Sequence, residues 1–353
     1  MMPPELFQQR ILAWFDQHGR KDLPWQQPIT PYRVWLSETM LQQTQVSTVI
    51  PYFLAFTAKF PDIASLANAP VDEVLQLWAG LGYYARARNL HKAAQQLVAI
   101  GGFPNDLAGL MALPGIGQST AGAILSIAFN NSHPILDGNV KRVLCRFKGV
   151  PGWPGLTAVS KALWAISAEH TPKARVADYT QAIMDLGATL CTRSKPACHR
   201  CPIQDGCLAN QTATTAELPT RKPPKTIPIK QQVLLILVNN DGDLWLEKRP
   251  PVGIWGGLWS LPEFADTQAA LDWCAGKQLR IRHHQSGLMQ RHTFSHFHLD
   301  YTPLWVYTDK PINFVMEAGQ SLWYNAKQID GLGLPAPIKT LLKQHFNHED
   351  NHD

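Results

Sequence analysis

Residues 113–142 read LPGIGQSTAGAILSIAFNNSHPILDGNVKR, a glycine-rich turn, an apolar helical stretch and a second turn that carries an acid. Gly115 and Gly117 allow close approach of the backbone to a ligand and expose amide donors at the start of a helix, where phosphate binds well. The pentapeptide alone is equally typical of a simple turn between helices. Asp137, twenty residues after Gly117, adds a reactive group. The stretch therefore predicts a helical hairpin next to a carboxylate.

A cysteine array follows this stretch, with Cys191, Cys198, Cys201 and Cys207 in the spacing C-x6-C-x2-C-x5-C. Four thiolates so close together are typical of a metal site. Disulfides predominate in small secreted domains, and this chain has 353 residues. Structural zinc usually has two close pairs of ligands, whereas only Cys198 and Cys201 form a C-x2-C. An iron-sulfur cluster tolerates the uneven spacing better, so spacing favours iron-sulfur and leaves zinc open.

Length and composition limit the class of protein. A chain of 353 residues with 45% hydrophobic residues is too long for one ordinary core and predicts two domains. The formal net charge of +5 is compatible with a polyanionic partner without demonstrating one. Glu5, Arg10 and Asp16 interrupt the first apolar residues, so we expect no signal peptide. The apolar run 233–238 is far below the ~20 residues that a membrane requires. We expect a soluble, cytoplasmic protein with reduced thiols.

Helix start signals recur in the first two hundred residues. Thr30 before Pro31, Asn68 shortly before Pro70, and Asp106 before Leu107 predict three helix N-termini. The composition of residues 211–231 differs from that of the preceding residues. It is rich in proline, threonine and basic residues, which is typical of a linker.

The C-terminal part has a mixed pattern. Residues 233–238 and 244–247 predict two strands joined by the turn 239–242, 267–275 predict a helix and 302–307 a further strand. This domain is predicted to be α+β. The predicted organisation is a helical domain at 1–210, which includes the cysteine segment 191–207, a linker at 211–231, the second domain at 232–346 and a polar tail at 347–353.

Two carboxylates have contrasting predicted environments. Glu38 shares a helix face with Val34 and Leu41, and desolvation on an apolar face favours the neutral acid that can donate a proton. Asp137 precedes an amphipathic segment, and a helix N-terminus favours its charged form. Taken alone, Glu38 is explained equally well by an ordinary salt bridge, and Asp137 is explained better by a simple N-cap. Together the two acids predict a general acid and a carboxylate.

Several motifs in combination resemble a known family. The LPGIG turn, the acid in LDGNVKR and the cysteine array resemble, in order and spacing, the helix-hairpin-helix DNA glycosylases with a [4Fe-4S] cluster, over residues 5 to about 210. WLSETMLQQTQV at 35–46, GLGYYARARNL at 80–90 and FSH at 294–296 are similar to the MutY family of adenine DNA glycosylases. The resemblance implies a multidomain fold, with an all-α helix-hairpin-helix domain, an iron-sulfur loop and an α+β MutT-like (Nudix-fold) domain.

The resemblance also implies a reaction. A monomer would hydrolyse the N-glycosidic bond of adenine mispaired with 8-oxoguanine or guanine in double-stranded DNA, with Glu38 as acid and Asp137 stabilising the sugar cation. Ser119 stands where bifunctional relatives such as endonuclease III have a Schiff-base lysine, so an abasic site would remain unless Lys141 substitutes. The other implied site residues are Asn139 beside Asp137, Trp25, Leu41 and Gln181 around adenine, Gln43 and Tyr83 inserted into the duplex, and Leu113, Gly115 and Gly117 at a phosphate.

The remaining implied sites lie toward the C-terminus. The four cysteines would hold a structural [4Fe-4S] cluster, on a loop whose basic residues Arg193, Lys195 and Arg200 could meet DNA phosphates. Phe294, Ser295 and His296 would contact 8-oxoguanine, since a hydroxyl can both donate and accept. Cys145 and Cys274 are expected to be buried free thiols.

The MutT-like domain has a broken Nudix box. Gly257 and Glu263 fit its beginning, but Leu271 with Asp272 replaces its Arg-Glu, and Ala275 with Gly276 replaces the Glu-Glu pair that would hold magnesium. We therefore expect no nucleotide pyrophosphatase activity. Two other functions are open at this point: an endonuclease III-like glycosylase/lyase acting on oxidised pyrimidines, and a catalytically silent iron-sulfur protein that binds damaged DNA. The sequence does not identify protein partners.

Overall fold

The computed structural model describes residues 2–224, 226–251, 253–309 and 320–349, which form two compact units. The first unit comprises the described residues up to Asn68 together with Asn89–Pro224. The second combines Ala69–Arg88 with the described residues after 225. The predicted helical domain included the segment 69–88, whereas the structure groups this segment with the C-terminal residues.

The chain up to residue 211 is helical. Its helices are α1 (Pro4–His18), α2 (Pro31–Leu41), α3 (Val46–Lys59), α4 (Ile63–Asn68), α5 (Val71–Leu77), α6 (Ala85–Ala99), α7 (Leu107–Met111), α8 (Gln118–Phe129), α9 (Gly138–Lys148), α10 (Thr157–His170), α11 (Val176–Thr189) and α12 (Leu208–Gln211). Short 3-10 helices lie at Pro24–Gln26, Cys198–Arg200 and Gln204–Gly206. Within the described ranges, every helix is too short or too polar to span a bilayer.

Local capping chemistry fixes several helix starts. Thr30 caps α2 by accepting a hydrogen bond from the Arg33 amide at 3.2 Å, and Asp106 caps α7 by accepting one from the Gly109 amide at 2.8 Å. Both starts were predicted and are confirmed. The start predicted at Asn68 is wrong, because Asn68 is the last residue of α4 and α5 begins at Val71, directly after Pro70.

The core of the first unit lies where α1, α8, α9 and α11 meet. Its buried side chains include Phe7 and Ile11 of α1, Val140 and Leu144 of α9 and Leu186 of α11. Burial of each such side chain contributes roughly 1.5–3 kcal/mol. This packing fixes the N-terminus of α9, which carries Asp137, against the other helices.

The second unit contains a mixed sheet. Its strands are β1 (Ile229–Val238), β2 (Asp243–Lys248), β3 (Trp259–Ser260), β4 (Glu263–Phe264), β5 (Ile281–Ser286), β6 (Gln290–Thr293), β7 (His298–Thr308) and β8 (Ser321–Asn325), and its helices are α13 (Thr267–Gly276) and α14 (Ala336–Glu349). The main path is β3-β2-β1-β7-β5. β1 and β7 are parallel, from Ile229 opposite His298 to Val238 opposite Tyr307. Helix α13 packs on the sheet through Ala270 and Cys274.

The predicted elements of this part are confirmed, with different limits. The predicted strands lie within β1, β2 and β7, and the predicted helix corresponds to α13. β1 begins at Ile229, inside the predicted linker 211–231, because pairing with β7 extends the strand. Helix α14 runs to Glu349, so the start of the predicted tail 347–353 is helical, and residues 350–353 lie outside the described residues.

Candidate functional site

A cleft of about 820 Å³ opens in the first unit and collects most of the predicted site residues. These residues come from the 3-10 turn at Pro24–Gln26, from α2, α8, α9 and α11, and from the turns between helices. The members that line the cleft are Trp25, Glu38, Leu41, Gln43, Ser119, Asp137, Asn139 and Gln181. Tyr83 and the residues Phe294, Ser295 and His296 lie in the second unit.

Glu38 projects from α2 into the cleft and is half-buried. The opposite faces of α2 are fixed by buried Trp35, Leu36 and Met40. In the described part of the chain, the Glu38 carboxyl makes no hydrogen bond that would stabilise its charge. Burial, reinforced by repulsion from Asp137, raises the pKa of Glu38 to about 8. Glu38 is therefore predominantly protonated at neutral pH, as the apolar helix face predicts.

Asp137 is the N-cap of α9. Its Oδ1 accepts a hydrogen bond from the Val140 amide at 2.8 Å, and its Oδ2 accepts one from the Asn139 side chain at 3.2 Å. Burial nevertheless raises the pKa of Asp137, although these donors and the charge of Arg142 act in the opposite direction. The helix N-terminus had suggested a lowered pKa. The direction differs because desolvation outweighs the hydrogen bonds.

The two carboxyls titrate as a coupled pair. Asp137 accepts hydrogen bonds and lies near the positive charge of Arg142, whereas Glu38 has neither source of stabilisation. The first proton therefore leaves Asp137, and its negative charge then opposes ionisation of Glu38. Of the two carboxyls, Asp137 is therefore the one that ionises first, and Glu38 is the one that keeps its proton.

Arg142 connects the carboxylate to the cysteine segment and was not singled out from the sequence. Its guanidinium donates to Asn139 Oδ1 at 2.8 Å, to the Gly187 carbonyl at 2.7 Å and to the Cys191 carbonyl at 2.6 Å. The only signal was its place in the motif LDGNVKR. A continuous chain of hydrogen bonds therefore runs from Asp137 through Asn139 and Arg142 to Cys191.

Ser119 lies in the first turn of α8, and its Oγ accepts a hydrogen bond from the Leu136 amide at 2.9 Å. This bond ties the start of α8 to the residue before Asp137. Among the described residues that line the cleft there is no lysine, and Lys141 is not part of the lining. An amine that could form an imine is therefore not among the groups that line the cleft.

The predicted adenine-contacting side chains are held by partners that the sequence did not reveal. Trp25 is buried and packs edge-on against Phe53, with ring centroids 5.4 Å apart. Gln181 donates to Asp185 Oδ1 at 2.8 Å, and buried Asp185 also accepts from the Arg20 guanidinium at 2.6 Å. Because Arg20 and Asp185 are 165 residues apart, no local pattern identifies their pairing.

The predicted phosphate hairpin forms the turn between α7 and α8. The Ile116 amide bonds to the Leu113 carbonyl at 3.2 Å, which closes the turn. Gly115 has a φ of +79°, and a Cβ at this position would lie 2.9 Å from Asn89 Cβ, so glycine is required there. Gly117 is exposed at the start of α8, where amides point outward.

Phe294, Ser295 and His296 form a tight turn between the antiparallel strands β6 and β7. The Phe294 amide donates to the Phe297 carbonyl at 2.9 Å, and the two rings stack with centroids 4.7 Å apart. Ser295 and His296 are exposed at the tip. The turn therefore exposes a hydroxyl and an imidazole, and the stacked rings of Phe294 and Phe297 hold it in place.

Glu263 of the broken Nudix box is engaged elsewhere, in an ion pair with Arg249. Asp272 accepts a hydrogen bond from Gln268 at 2.8 Å on the exposed surface of α13. Cys145 and Cys274 are buried and unpaired, as predicted.

The four cysteines of the array line one small cavity, with apolar walls from Val143, Leu186, Leu190 and Ile203. All four are free thiols. Burial, with mutual repulsion between the sulfurs, raises the pKa of Cys201 to about 12 and also raises that of Cys207 and Cys198. Four thiolates here therefore require bound positive charge.

The geometry of the cysteines discriminates between metal centres. In the described ranges, no three His, Cys, Asp or Glu side chains converge tightly enough for a single metal ion. Four thiols that share one apolar cavity without converging on a single point fit a cluster of several irons better than mononuclear zinc. These four cysteines would ligate the cluster and so cross-link the segment 191–207.

Arg146 is an unusual neighbour of this cavity, because it is only 2% exposed. Its guanidinium donates to the carbonyls of Thr192, Arg193 and Leu218 at 2.7, 3.0 and 2.8 Å, and lies 3.4 Å from Cys191 Sγ. It forms no ion pair in the part of the chain that the structure describes. Its charge is therefore available to a group of negatively charged thiolates.

Family models match three parts of the chain. Residues 36–169 match the HhH-GPD superfamily base excision DNA repair proteins, 191–207 match the iron-sulfur binding domain of endonuclease III, and 233–344 match a NUDIX domain. The first match lies in the helical part of the chain, the second is the cysteine segment and the third contains most of the sheet.

Relatives of known activity are similar along the chain. It is 40% identical over 344 residues to the adenine DNA glycosylase of Buchnera aphidicola subsp. Acyrthosiphon pisum, a match that covers 97% of this chain and 98% of the relative. It is 44% identical over 223 residues to the adenine DNA glycosylase of Homo sapiens, covering 60% of this chain and 41% of the human protein.

Solved structures share the fold of the helical part. A thermostable thymine-DNA glycosylase matches with a TM-score of 0.54 and 26% identity, covering 59% of this chain and 97% of its own. Endonuclease III in a non-covalent DNA complex matches with a TM-score of 0.50 and 21% identity, covering 60% of this chain and 99% of its own, and shows the same fold.

The fold and the cleft define a helix-hairpin-helix DNA glycosylase of base excision repair, with an iron-sulfur segment and a C-terminal Nudix-type domain. The predicted fold class is confirmed. With 40% identity over nearly its full length, the chain belongs to the adenine DNA glycosylase family. It binds DNA, removes adenine, and has a [4Fe-4S] cluster as its cofactor. The cofactor and enzyme class are thereby confirmed over the zinc and binding-protein alternatives.

Proposed function

We propose that this enzyme removes adenine paired with 8-oxoguanine or guanine by hydrolysis alone and leaves an abasic site. The observation that carries this proposal is one cleft with a protonated Glu38, the carboxylate of Asp137 and no lysine among its described lining residues. The cleft volume of about 820 Å³ is ample for a nucleobase turned out of the duplex.

Glu38 donates its proton to N7 of adenine. The bond between C1′ and N9 then breaks, its electron pair passes to the base, and neutral adenine departs. The positive charge left on the deoxyribose is stabilised by the Asp137 carboxylate, either electrostatically or by a covalent bond to C1′. Water adds to C1′ and releases its proton to a carboxylate of the pair. A positioned general acid contributes on the order of 10²- to 10⁴-fold to such a reaction.

The other residues of the cleft bind the DNA. Trp25, Leu41 and Gln181 surround the extruded adenine, and Asn139 orients Asp137. Gln43 is exposed with a φ of +59°, and together with Tyr83 it occupies the space that the base leaves.

The phosphates are contacted by two surfaces. The first is the hairpin of Leu113, Gly115 and Gly117, in which Gly115 and Gly117 are exposed at the start of α8 and suit an anion. The second is the exposed basic loop with Arg193, Lys195 and Arg200. The [4Fe-4S] cluster fixes this loop and has a structural role.

The base opposite adenine is examined by the turn Phe294-Ser295-His296. The N7–H donor and the O8 acceptor of 8-oxoguanine replace the N7 acceptor of guanine, and the exposed Ser295 hydroxyl can both accept and donate. The protein acts as a monomer on the duplex, in the bacterial cytosol.

The reaction is tested with duplexes that carry adenine opposite 8-oxoguanine, guanine, cytosine or thymine. We expect adenine release and alkali-dependent strand cleavage, fastest opposite 8-oxoguanine and then guanine. Strand cleavage without alkali would instead identify a lyase. Equal rates opposite all four bases would contradict the assigned specificity, and Ser295→Ala should reduce the preference for 8-oxoguanine over guanine.

A further inference from the structure

The segment 69–88 is the part of the helical region that packs with the C-terminal residues. It contains α5, a turn that includes Tyr83, and the first residues of α6. Tyr83 and the turn Phe294-Ser295-His296 therefore belong to the same compact unit. Contacts within this unit could therefore link the position of Tyr83 to the turn Phe294-Ser295-His296.

Two polar contacts join the segment to the C-terminal residues. Lys248 Nζ at the end of β2 lies 2.7 Å from Asp72 Oδ2 in the first turn of α5. The guanidinium of Arg88 donates to the carbonyl of Gly256. Burial lowers the pKa of Arg88, in keeping with a side chain enclosed at this contact.

Two glycines of the C-terminal residues lie next to α5 and the start of α6. Gly257 has a φ of +77°, and a Cβ there would lie 3.4 Å from Leu75 Cδ1 and 3.7 Å from Arg88 Cδ. A Cβ at Gly333 would lie 3.6 Å from the Gln76 backbone nitrogen. Leu75 is buried on this side of α5. We name the group of Asp72, Leu75, Arg88, Lys248, Gly256 and Gly257 the α5 latch.

Tyr83 is held outward by the rest of the segment. Its side chain is 52% exposed, and its backbone has a φ of +50°. The Arg86 guanidinium lies 5.5 Å from the Tyr83 ring centroid and 5.4 Å from that of Trp78. Both Arg86 and Trp78 also donate to the Gly82 carbonyl at 3.1 Å. A non-glycine residue in this conformation persists only when its surroundings fix it.

The α5 latch is also connected to the turn Phe294-Ser295-His296, through the aromatic ring at the start of that turn. Gly256 follows Trp255, whose ring centroid lies 5.4 Å from that of Phe294. Trp255 has a φ of +55°. The Arg249 guanidinium packs over the Trp255 ring, 5.7 Å from the ring centroid. A continuous path of contacts therefore runs from Arg88 through Gly256 and Trp255 to Phe294.

We propose that the α5 latch couples recognition of the base opposite adenine to insertion of Tyr83 into the duplex. Because the turn 294–296 and Tyr83 share one packed body, binding of 8-oxoguanine by Ser295 and His296 places Tyr83 against the neighbouring bases. Arg88 and the pair Asp72–Lys248 are positioning residues in this coupling. The inference rests on the proposed specificity and adds the route by which the recognised base increases excision.

The principal test is Arg88→Met, which keeps an apolar stem and removes the donor to Gly256. Single-turnover adenine release is measured opposite 8-oxoguanine and opposite guanine. We expect the ratio of the two rates to fall by about five- to tenfold, within the usual range of coupling between sites. The loss should come from the 8-oxoguanine duplex, while the rate opposite guanine changes less than about twofold. Arg88→Lys should restore part of the ratio.

The matched control is Arg282→Met, which removes an equal charge from β5 in the same unit and leaves the latch intact. We expect its rate ratio to equal that of the wild type. A second readout is 2-aminopurine beside 8-oxoguanine, whose fluorescence reports insertion of Tyr83. Arg88→Met should reduce this signal, and combining it with Ser295→Ala should lower the ratio no further than Ser295→Ala alone.

The outcomes separate this inference from the proposed function. If the wild type excises adenine equally well opposite 8-oxoguanine and guanine, the proposed specificity fails. If the wild type discriminates but folded Arg88→Met retains both the ratio and the fluorescence signal, the latch proposal is overturned. If Arg88→Met does not fold, the pair Asp72–Lys248 provides the test. Asp72→Lys should lower the ratio of the rates opposite 8-oxoguanine and guanine, and the double variant Asp72→Lys with Lys248→Asp should restore it. An unchanged ratio in Asp72→Lys overturns the proposal.

Discussion

Asn139 donates a hydrogen bond from Nδ2 to Oδ2 of Asp137 at 3.2 Å. The orientation of this amide is fixed, because Asn139 Oδ1 accepts from Arg142 at 2.8 Å and a guanidinium can only donate. The amide therefore points its N–H at the carboxylate. This arrangement favours the charged form of Asp137, against the burial that raises its pKa.

Asp137→Asn should abolish base removal while mismatch binding remains. The amide oxygen of asparagine can still accept from the Val140 amide, so the cap of α9 is retained. The charge that stabilises the sugar cation is lost, and we expect the excision rate to fall by at least about 10²-fold. Single-turnover release and equilibrium binding of the A:8-oxoguanine duplex measure the two effects separately.

The matched control is Asp266→Asn, which changes an N-cap aspartate of the same geometry, bonded to the Ala269 amide at 2.8 Å outside the cleft. Its excision rate should equal that of the wild type. Equal loss of binding and excision in Asp137→Asn would contradict the role assigned to Asp137.

The excision rate should fall as the pH rises through about 8. Glu38 must be protonated to donate, and burial raises its pKa to about 8. Glu38→Gln has the same shape but cannot donate, so it should lose activity at every pH. A pH profile of single-turnover rates checks the prediction, and a wild-type rate that stays constant from pH 7 to about 9.5 would exclude Glu38 as the general acid.

Glu38 should also make the stability of the protein depend on pH. Its pKa is raised in the folded state relative to the unfolded chain, so its stabilising contribution is complete below the unfolded value of 4.5 and is lost as the pH rises through about 8. Melting temperatures of the wild type and Glu38→Gln should therefore diverge with increasing pH in favour of the glutamine variant. Parallel melting curves across this range would contradict the raised pKa.

Local chemistry explains which features could be predicted from the sequence. The caps at Thr30, Asp106 and Asp137 each bond an amide three residues ahead, so the signal and the structure lie within one turn. The strands β1 and β7 were found because a buried strand needs an apolar run. The start predicted at Asn68 was wrong because asparagine occurs at helix C-termini as well as at N-caps, and here it ends α4.

Features that depend on tertiary packing could not be predicted. The pKa of Asp137 is raised by burial under several helices, which a motif at one helix end does not reveal. Arg142 and Asp185 fix site residues through partners distant in sequence. The grouping of 69–88 with the C-terminal residues likewise has no local signature, because it depends on contacts between residues far apart in sequence, such as Asp72 with Lys248 and Arg88 with Gly256.

Ser119→Lys should convert the enzyme into a lyase. A lysine at the start of α8 would place an amine at the rim of a cleft that has none among its described lining residues, and the amine could attack C1′ to form an imine. The Leu136 amide would lose its acceptor, at a cost of about 1–3 kcal/mol. Strand cleavage without alkali and borohydride trapping of the DNA adduct measure the new activity.

Lys141→Ala provides the control for this prediction. It removes the amine closest in sequence to Asp137 and should leave the alkali-dependent products of the wild type unchanged. Efficient borohydride trapping of the wild type that disappears in Lys141→Ala would show that Lys141, and not residue 119, determines the reaction class.

Arg146→Met should reduce cluster retention more strongly than the change of an exposed arginine on the cysteine segment 191–207. The substitution removes a buried charge 3.4 Å from Cys191 Sγ and leaves the carbonyls of Thr192, Arg193 and Leu218 without their donor. Each lost hydrogen bond to the charged guanidinium costs about 1.5–3 kcal/mol. Iron per chain, visible absorbance and melting temperature should all decrease, and Arg146→Lys should recover part of the loss because it restores the charge.

Arg200→Met is the matched control, since Arg200 is exposed beside Cys201. This variant should keep its iron and its melting temperature, while its DNA affinity falls and the slope of log affinity against log salt becomes shallower by about 0.9, as expected for one lost phosphate contact. The two arginines thus separate the functions of the cysteine segment. Full iron content in Arg146→Met would show that the four thiolates need no buried countercharge, because the cavity that holds them would then be stable without the guanidinium.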